Sequence, residues 1–225
     1  MKRFTTLSAA ILMSFTFNSA LAQAPAQAPA APAAINNPAT FTTDWNVALQ
    51  YLKAGNARYV NNQGMPRTTN AQDRETTKDS QKPFAVVLTC SDSRVAPEIY
   101  FDQKMGDIFV IRNAGNIADT TALGSLEFAV AALKAPLVVV VGHTQCGAVK
   151  GSLDPKATYP DNLQSVINQI RPNVKNFDAK NVPGATRANI DANVNRIREN
   201  AIVKQAGAHV IGALYDVATG VVTFN

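Results

Sequence analysis

Residues 137–141 read Leu-Val-Val-Val-Val, and this run restricts the fold more than any other stretch of the chain. Four consecutive valines disfavour a helix through their stiff χ1 angles and suit a pleated strand. The run has no polar alternation, so the strand it predicts is buried on both faces, and it is too short for a core helix. Residues 84–88 and 108–111 carry comparable Val-, Ile- and Phe-rich runs. Between the second and third runs, Leu123, Leu126, Val130 and Leu133 mark one face of a helix. Leu163, Val166, Ile167 and Ile170 mark another, and Ile190, Val194 and Ile197 a third. Ahead of them, Asp44 is a candidate N-cap for a helix carrying Trp45, Ala48, Leu49 and Leu52, with Gly55 interrupting its pattern. The chain closes with a strand at 209–214, a turn through Ala218-Thr219-Gly220 and a strand at 221–224. Strands alternating with helices predict an α/β fold with a mainly parallel β-sheet flanked by helices. The short final connection predicts an antiparallel C-terminal edge strand.

The front of the chain has a different character. Lys2 and Arg3 precede an apolar run from about residue 7 to residue 17, and Ala20-Leu21-Ala22 supplies small residues where a signal peptidase cuts. Residues 1–22 are expected to be a cleaved signal peptide, which places the mature protein outside the cytoplasm, in a bacterial periplasm. The apolar run is shorter than the roughly 20 residues a spanning helix needs, so no membrane anchor is expected after cleavage. Residues 23–40 are rich in Ala and Pro and read as a linker. Residues 41–225 then form one domain, with no internal repeat. Removing Lys2 and Arg3 from the 21 basic residues leaves a balance of +3 against 16 acidic ones. The basic residues are scattered and show no stripe interleaved with aromatics, so nucleic acid is not an expected partner.

The reactive residues gather at strand ends. The first strand runs into Cys90-Ser91-Asp92-Ser93-Arg94, the second into Arg112-Asn113-Ala114-Gly115-Asn116, and the third into Gly142-His143-Thr144-Gln145-Cys146-Gly147. In parallel sheets, ligands bind beyond the carboxyl ends of the strands. The two cysteines, Cys90 and Cys146, are the only ones in the chain, and by count alone an exported protein could pair them as a disulfide. Two thiolates and an imidazole also suit zinc, and a catalytic zinc keeps three protein ligands plus one exchangeable position. His143 and Cys146 are three residues apart and could converge on one ion with Cys90 from the neighbouring strand. Asp92 could close the fourth position, and Arg94 could hold that carboxylate off by a bidentate pair. With the position open, bound water has its pKa lowered to about 7 and becomes a nucleophile.

These three segments, in this order and spacing, resemble the signature segments of the β-class carbonic anhydrases. The likeness runs from about Trp45 to Phe224 and includes Leu123-Gly124-Ser125-Leu126-Glu127-Phe128-Ala129 and the closing Tyr215-Asp216 with Thr219-Gly220. The resemblance implies a β-carbonic-anhydrase-like fold and one Zn2+ per chain, held by Cys90, His143 and Cys146. Asp92 is then either a fourth ligand in a closed state or, paired with Arg94, the acceptor that orients zinc-bound hydroxide. It further implies hydroxide attack on carbon dioxide to give bicarbonate and a proton. Gln81, nine positions before Cys90, resembles a glutamine that helps hold substrate. Family members build the substrate pocket across a dimer interface, so a homodimer or higher homo-oligomer is expected. The helix at Trp45 to Leu52 would pack either on a neighbouring subunit or within its own.

His209 has no ligating residue at suitable spacing, and packing is its expected role. Gly115, Gly142 and Gly147 are expected at tight turns, since none completes a dinucleotide fingerprint. Three readings remain distinct at this level: a zinc enzyme, a module that holds zinc or an anion without turnover, and a disulfide-stapled export domain.

Overall fold

The computed structural model describes residues 41–65 and 71–225. The expected signal peptide and linker, residues 1–40, lie outside the described residues. In chain order the elements are α1 (Trp45–Val60), α2 (Ala71–Thr77), β1 (Ala85–Cys90), α3 (Pro97–Tyr100), β2 (Ile108–Asn113), α4 (Thr120–Ala131) and β3 (Leu137–His143). They continue with α5 (Gly147–Ser152), α6 (Asp161–Val174), α7 (Val182–Glu199), α8 (Ala201–Ala206), β4 (His209–Tyr215) and β5 (Val222–Phe224).

The five strands form one sheet in the order β2-β1-β3-β4-β5. β1 pairs in parallel with β2 and β3, β3 pairs in parallel with β4, and β5 runs antiparallel to β4. Every residue of β1 and β3 is buried, as their unbroken apolar runs require. The period of two then sorts the side chains. Val87, Val139 and Ile211 lie at matched register on one face, in a core with Leu52, Tyr100, Val149 and Ile170. Val86, Val138 and Val210 face the other way, into a core with Leu126, Val130, Ile190, Val194 and Ile197. Each fully buried Val or Leu contributes roughly 1.5–3 kcal/mol of transfer free energy. Helices α1, α3, α5 and α6 therefore cover the first face, and α4, α8 and much of α7 the second.

The chain leaves β1 in one direction to form β2 and crosses to the other side of β1 to form β3. The connections leaving the carboxyl ends of β1 and β3 thus diverge, which opens a crevice between those two strand ends. Thr89 is wholly buried beside that crevice, and its Oγ1 donates to the Val141 carbonyl at 3.0 Å. This bond ties the two strands one residue before Cys90.

Several local expectations need correction or a physical reason. Asp44 caps α1 by accepting from the Asn46 N–H at 2.8 Å, as expected. Gly55 does not interrupt α1, which continues to Val60. Its hydrogen side chain serves packing, because a Cβ there would lie 1.7 Å from the Phe101 carbonyl oxygen. Gly142 is likewise no turn: it lies within β3, where a Cβ would meet the Ile190 side chain at 2.6 Å. Leu133 falls beyond the end of α4, and Leu163 of α6 is exposed. The face of α1 carrying Ala48 and Leu52 is fully buried within its own chain, and Trp45 stacks on His209 with ring centroids 3.7 Å apart. His209 is thus a packing residue.

Gly55→Ala is expected to lower stability by about 3 kcal/mol or more, at the upper end of overpacking costs, since the obstacle is backbone and cannot rotate away. Urea denaturation of the two proteins measures the difference; equal midpoints would show that α1 can lift off α3 without penalty.

Candidate metal centre

The crevice collects three donors from two strand ends and one helix start. Cys90 is the last residue of β1 and His143 the last of β3, while Cys146 is the N-cap residue of α5. Between the latter two, Gln145 adopts φ +61°, and the chain turns back on itself. Their candidate ligand atoms all lie within 4.8 Å of one another. The three residues are 5%, 0% and 1% exposed, so the candidate ligands are buried. Cys90 and Cys146 are both buried and are not joined in a disulfide.

The imidazole is oriented for ligation. His143 Nδ1 lies 2.9 Å from the Thr144 carbonyl oxygen, an acceptor only, so Nδ1 carries the proton and Nε2 presents its lone pair. That Nε2 is buried and has no hydrogen-bond partner among the described residues. A buried unpaired acceptor costs roughly 1–3 kcal/mol, and a metal ion among the two sulfurs removes this cost. The donor set of one imidazole and two thiols suits zinc.

The sulfurs are electrostatically unequal. Cys90 is held below the ordinary thiol range, chiefly by a hydrogen bond from Cys146, with the Gly115 N–H adding to the effect against burial. The Gly115 nitrogen is 3.4 Å from Cys90 Sγ. Cys146 is pushed up, because it keeps the shared proton beside that partner and is itself buried. A cation at this point favours loss of the remaining proton.

Asp92 and Arg94 form a bidentate pair at the mouth. Arg94 Nε donates to Oδ1 at 2.9 Å and Nη2 to Oδ2 at 2.7 Å, while the Arg94 backbone N–H reaches Oδ1 at 3.0 Å. The guanidinium holds the Asp92 carboxyl well below the usual carboxylate range. Asp92 Oδ2 is 4.0 Å from His143 Nε2, close enough to face whatever occupies the cluster, while both oxygens are engaged by Arg94.

Two supports were not assigned roles from sequence. Arg112, at the end of β2, donates from Nε to the Cys90 carbonyl at 3.1 Å and from Nη2 to the Asp92 carbonyl at 2.8 Å. It braces the loop that carries both residues. Thr144 docks the other loop on the closing hairpin: its N–H donates to the Tyr215 carbonyl and its Oγ1 accepts from the Val217 N–H, both at 3.0 Å. The only signal for either was position, next to Asn113 in one signature segment and next to His143 in the other.

Cys90, Asp92, Arg94, His143 and Cys146 lie together at one end of the sheet. Gln81 is not. It lies exposed on the loop before β1, at the opposite end of a strand that spans roughly 17–20 Å. There it lines a cavity of about 530 Å³ with Phe41, Phe84 and Met105.

Comparison with known proteins gives a consistent result. The sequence pattern of the family described as carbonic anhydrase matches residues 85–222. A carbonic anhydrase of Mycolicibacterium smegmatis is 43% identical over 130 residues, covering 56% of this chain and 63% of that protein. The matched stretch is therefore less than two thirds of that relative's length. Among solved structures, a β-carbonic anhydrase of Coccomyxa superposes with a TM-score of 0.64 at 25% identity, covering 81% of this chain and 86% of the other. A β-carbonic anhydrase of Aspergillus fumigatus superposes with a TM-score of 0.62 at 26% identity, covering 67% and 79%.

Metal analysis after dialysis against zinc is expected to give one ion per chain, and Cys146→Ser to abolish tight retention. Undiminished zinc in Cys146→Ser would show that the ion sits elsewhere.

Proposed function

Because the chain belongs to the carbonic anhydrase family, in its β class, we propose that it catalyses the reversible, zinc-dependent hydration of carbon dioxide to bicarbonate and a proton. The observation that carries this reading is the buried, partnerless His143 Nε2 between two cysteine sulfurs, with the Asp92 carboxylate 4.0 Å away. Cys90, His143 and Cys146 would hold the zinc. When bound, it supplies the Lewis acidity that makes hydroxide available near neutral pH.

The remaining chemistry falls to the chain's own groups. Thr144 keeps His143 in the tautomer that can ligate, through its carbonyl. Asp92 stays ionised through its pair with Arg94, and its Oδ2 would accept a hydrogen bond from a hydroxyl group beside the cluster and so orient it. Arg94, more than half exposed, holds that carboxylate from the solvent side. In this arrangement Asp92 serves as an acceptor; as a fourth zinc ligand it would have to leave Arg94. Gln81 could contribute to substrate binding only in the site of a second copy, since its own chain holds it at the far edge of the sheet.

A homodimer or larger homo-oligomer is supported by a sheet edge that no other strand covers among the described residues. β2 is an edge strand, none of whose residues is fully buried, although four of the six are apolar. Phe109 on it packs against Phe128 of α4, which is 51% exposed. An apolar edge of this kind is normally covered by a partner. Export to the periplasm is proposed from the charged, apolar and small-residue pattern of residues 1–22; the following 23–40 would tether a single domain at 41–225. Among the described residues no helix is long and apolar enough to cross a membrane.

Stopped-flow hydration assays are expected to show activity that is lost on zinc removal and restored by zinc, and Asp92→Asn is expected to reduce it by about 100-fold or more. One bound zinc per chain with no rate above buffer would instead favour a zinc-holding module without turnover. Sedimentation velocity is expected to find an oligomer that Phe128→Asp dissociates; an unchanged mass would remove this face from the interface.

A further inference from the structure

Asn189 lies on α7, 1% exposed, one residue before the core side chain of Ile190. A buried amide is costly unless its hydrogen bonds are made, and the bonds it makes lead to the metal centre. Its Nδ2 donates to the Gly115 carbonyl at 2.9 Å. Its Oδ1 accepts from Asn173 of α6 at 2.9 Å and from Asn193 of α7 at 3.4 Å. Two donors on Oδ1 fix which way the amide points, so that Nδ2 alone can face Gly115.

Gly115 is the residue whose N–H reaches Cys90 Sγ. It sits at φ +79°, a left-handed conformation, with room for no Cβ because Ile170 Cδ1 would be 2.5 Å from it. The flanking turn is held from both sides. Asn113 brackets Ile117, accepting from its N–H and donating to its carbonyl, both at 2.7 Å. Asn193 Oδ1 accepts from the Ala118 N–H at 2.8 Å. Within this frame Asn189 is the side chain that grips Gly115 itself.

We propose that Asn189 is a positioning residue for the metal centre, holding the Gly115 carbonyl and through it the left-handed backbone of that residue, so that the Gly115 N–H, in the preceding peptide unit, hydrogen-bonds the Cys90 sulfur. The proposal rests on the zinc reading of the site. An N–H aimed at a metal thiolate draws charge from the sulfur and holds the ligand in place, and outer partners of this kind typically change metal affinity by about 10–100-fold. A residue on α7, far along the chain from every ligand, thereby tunes the first cysteine.

Three readings test it. In the parent protein substituted with cadmium-113, the Gly115 amide proton is expected to show scalar coupling to the metal across the sulfur; its absence overturns the proposal. Asn189→Leu is expected to bind zinc about 10–100-fold more weakly in competition with a chromophoric chelator, and to lose that coupling. Its cobalt form is expected to show the thiolate charge-transfer band at lower energy. Asn173→Ala, which leaves the Gly115 contact in place, is expected to keep the coupling and band. A purely structural role would lower the unfolding midpoint of Asn189→Leu while leaving band and coupling unmoved, and that result overturns the proposal. Asn189→Ser is the second variant, held to the same readings should the leucine variant not fold. A parent protein that binds no zinc would fail the zinc reading itself, a result recorded before any variant is compared.

Discussion

The parallel pairing of β1 with β3 is the constraint on which the rest depends. Thr89 sits opposite Val141, so Cys90 and His143 emerge at neighbouring points of the same sheet edge. A shift of one residue would turn each side chain to the other face and separate the two donors. Register here is over-determined. The valines of β3 interlock with opposite cores on alternate residues, and the buried Thr89 hydroxyl makes a bond that only this alignment offers. A dry, rigid base beneath the site is what allows two sulfurs and an imidazole nitrogen to be held close together without a covalent link.

Above that base, the site is an assembly of constraints on charge. Two cysteine sulfurs, an imidazole and a carboxylate occupy one crevice, and the groups are held from different directions: Cys90 by Cys146 and the Gly115 N–H, His143 by the Thr144 carbonyl, Asp92 by Arg94. The division matters chemically. Groups that would hold a metal are buried and receive few donors, whereas the carboxylate is at the mouth and saturated with donors from Arg94. Asp92 is thereby kept ionised and turned toward the cluster without joining it. Arg112 links the two regions, because its guanidinium spans the carbonyls of Cys90 and Asp92.

Sequence reasoning reached the strands and the main helices and singled out the five residues that meet in the crevice, because each is marked by a local pattern. Unbroken β-branched runs identify β1 and β3, and the reactive residues follow them directly. It misplaced Gly55 and Gly142, because a glycine tolerated for close packing looks the same in sequence as one that ends an element. It gave no roles to Arg112, Thr144 or Asn189, whose value lies in backbone carbonyls and N–H groups they reach across the fold. A carbonyl acceptor has no residue identity, so no motif announces it. Short elements such as α3 and α8 were likewise invisible, having too few residues to show a period.

The sequence by itself determined the α/β class and the mainly parallel run of the buried strands, and it offered Cys90, Asp92, Arg94, His143 and Cys146 as candidates, since side-chain type and spacing carry that information. Only the tertiary structure decided which of those residues meet, that Asp92 turns to Arg94, and that Gln81 stands at the far edge of its own sheet. It also decided that a turn held by Asn189 and Asn193 supports Cys90. The physical reason is that these outcomes depend on strand order, register and the direction of backbone hydrogen bonds, which are set by packing between segments distant in the chain and leave no trace in local pattern.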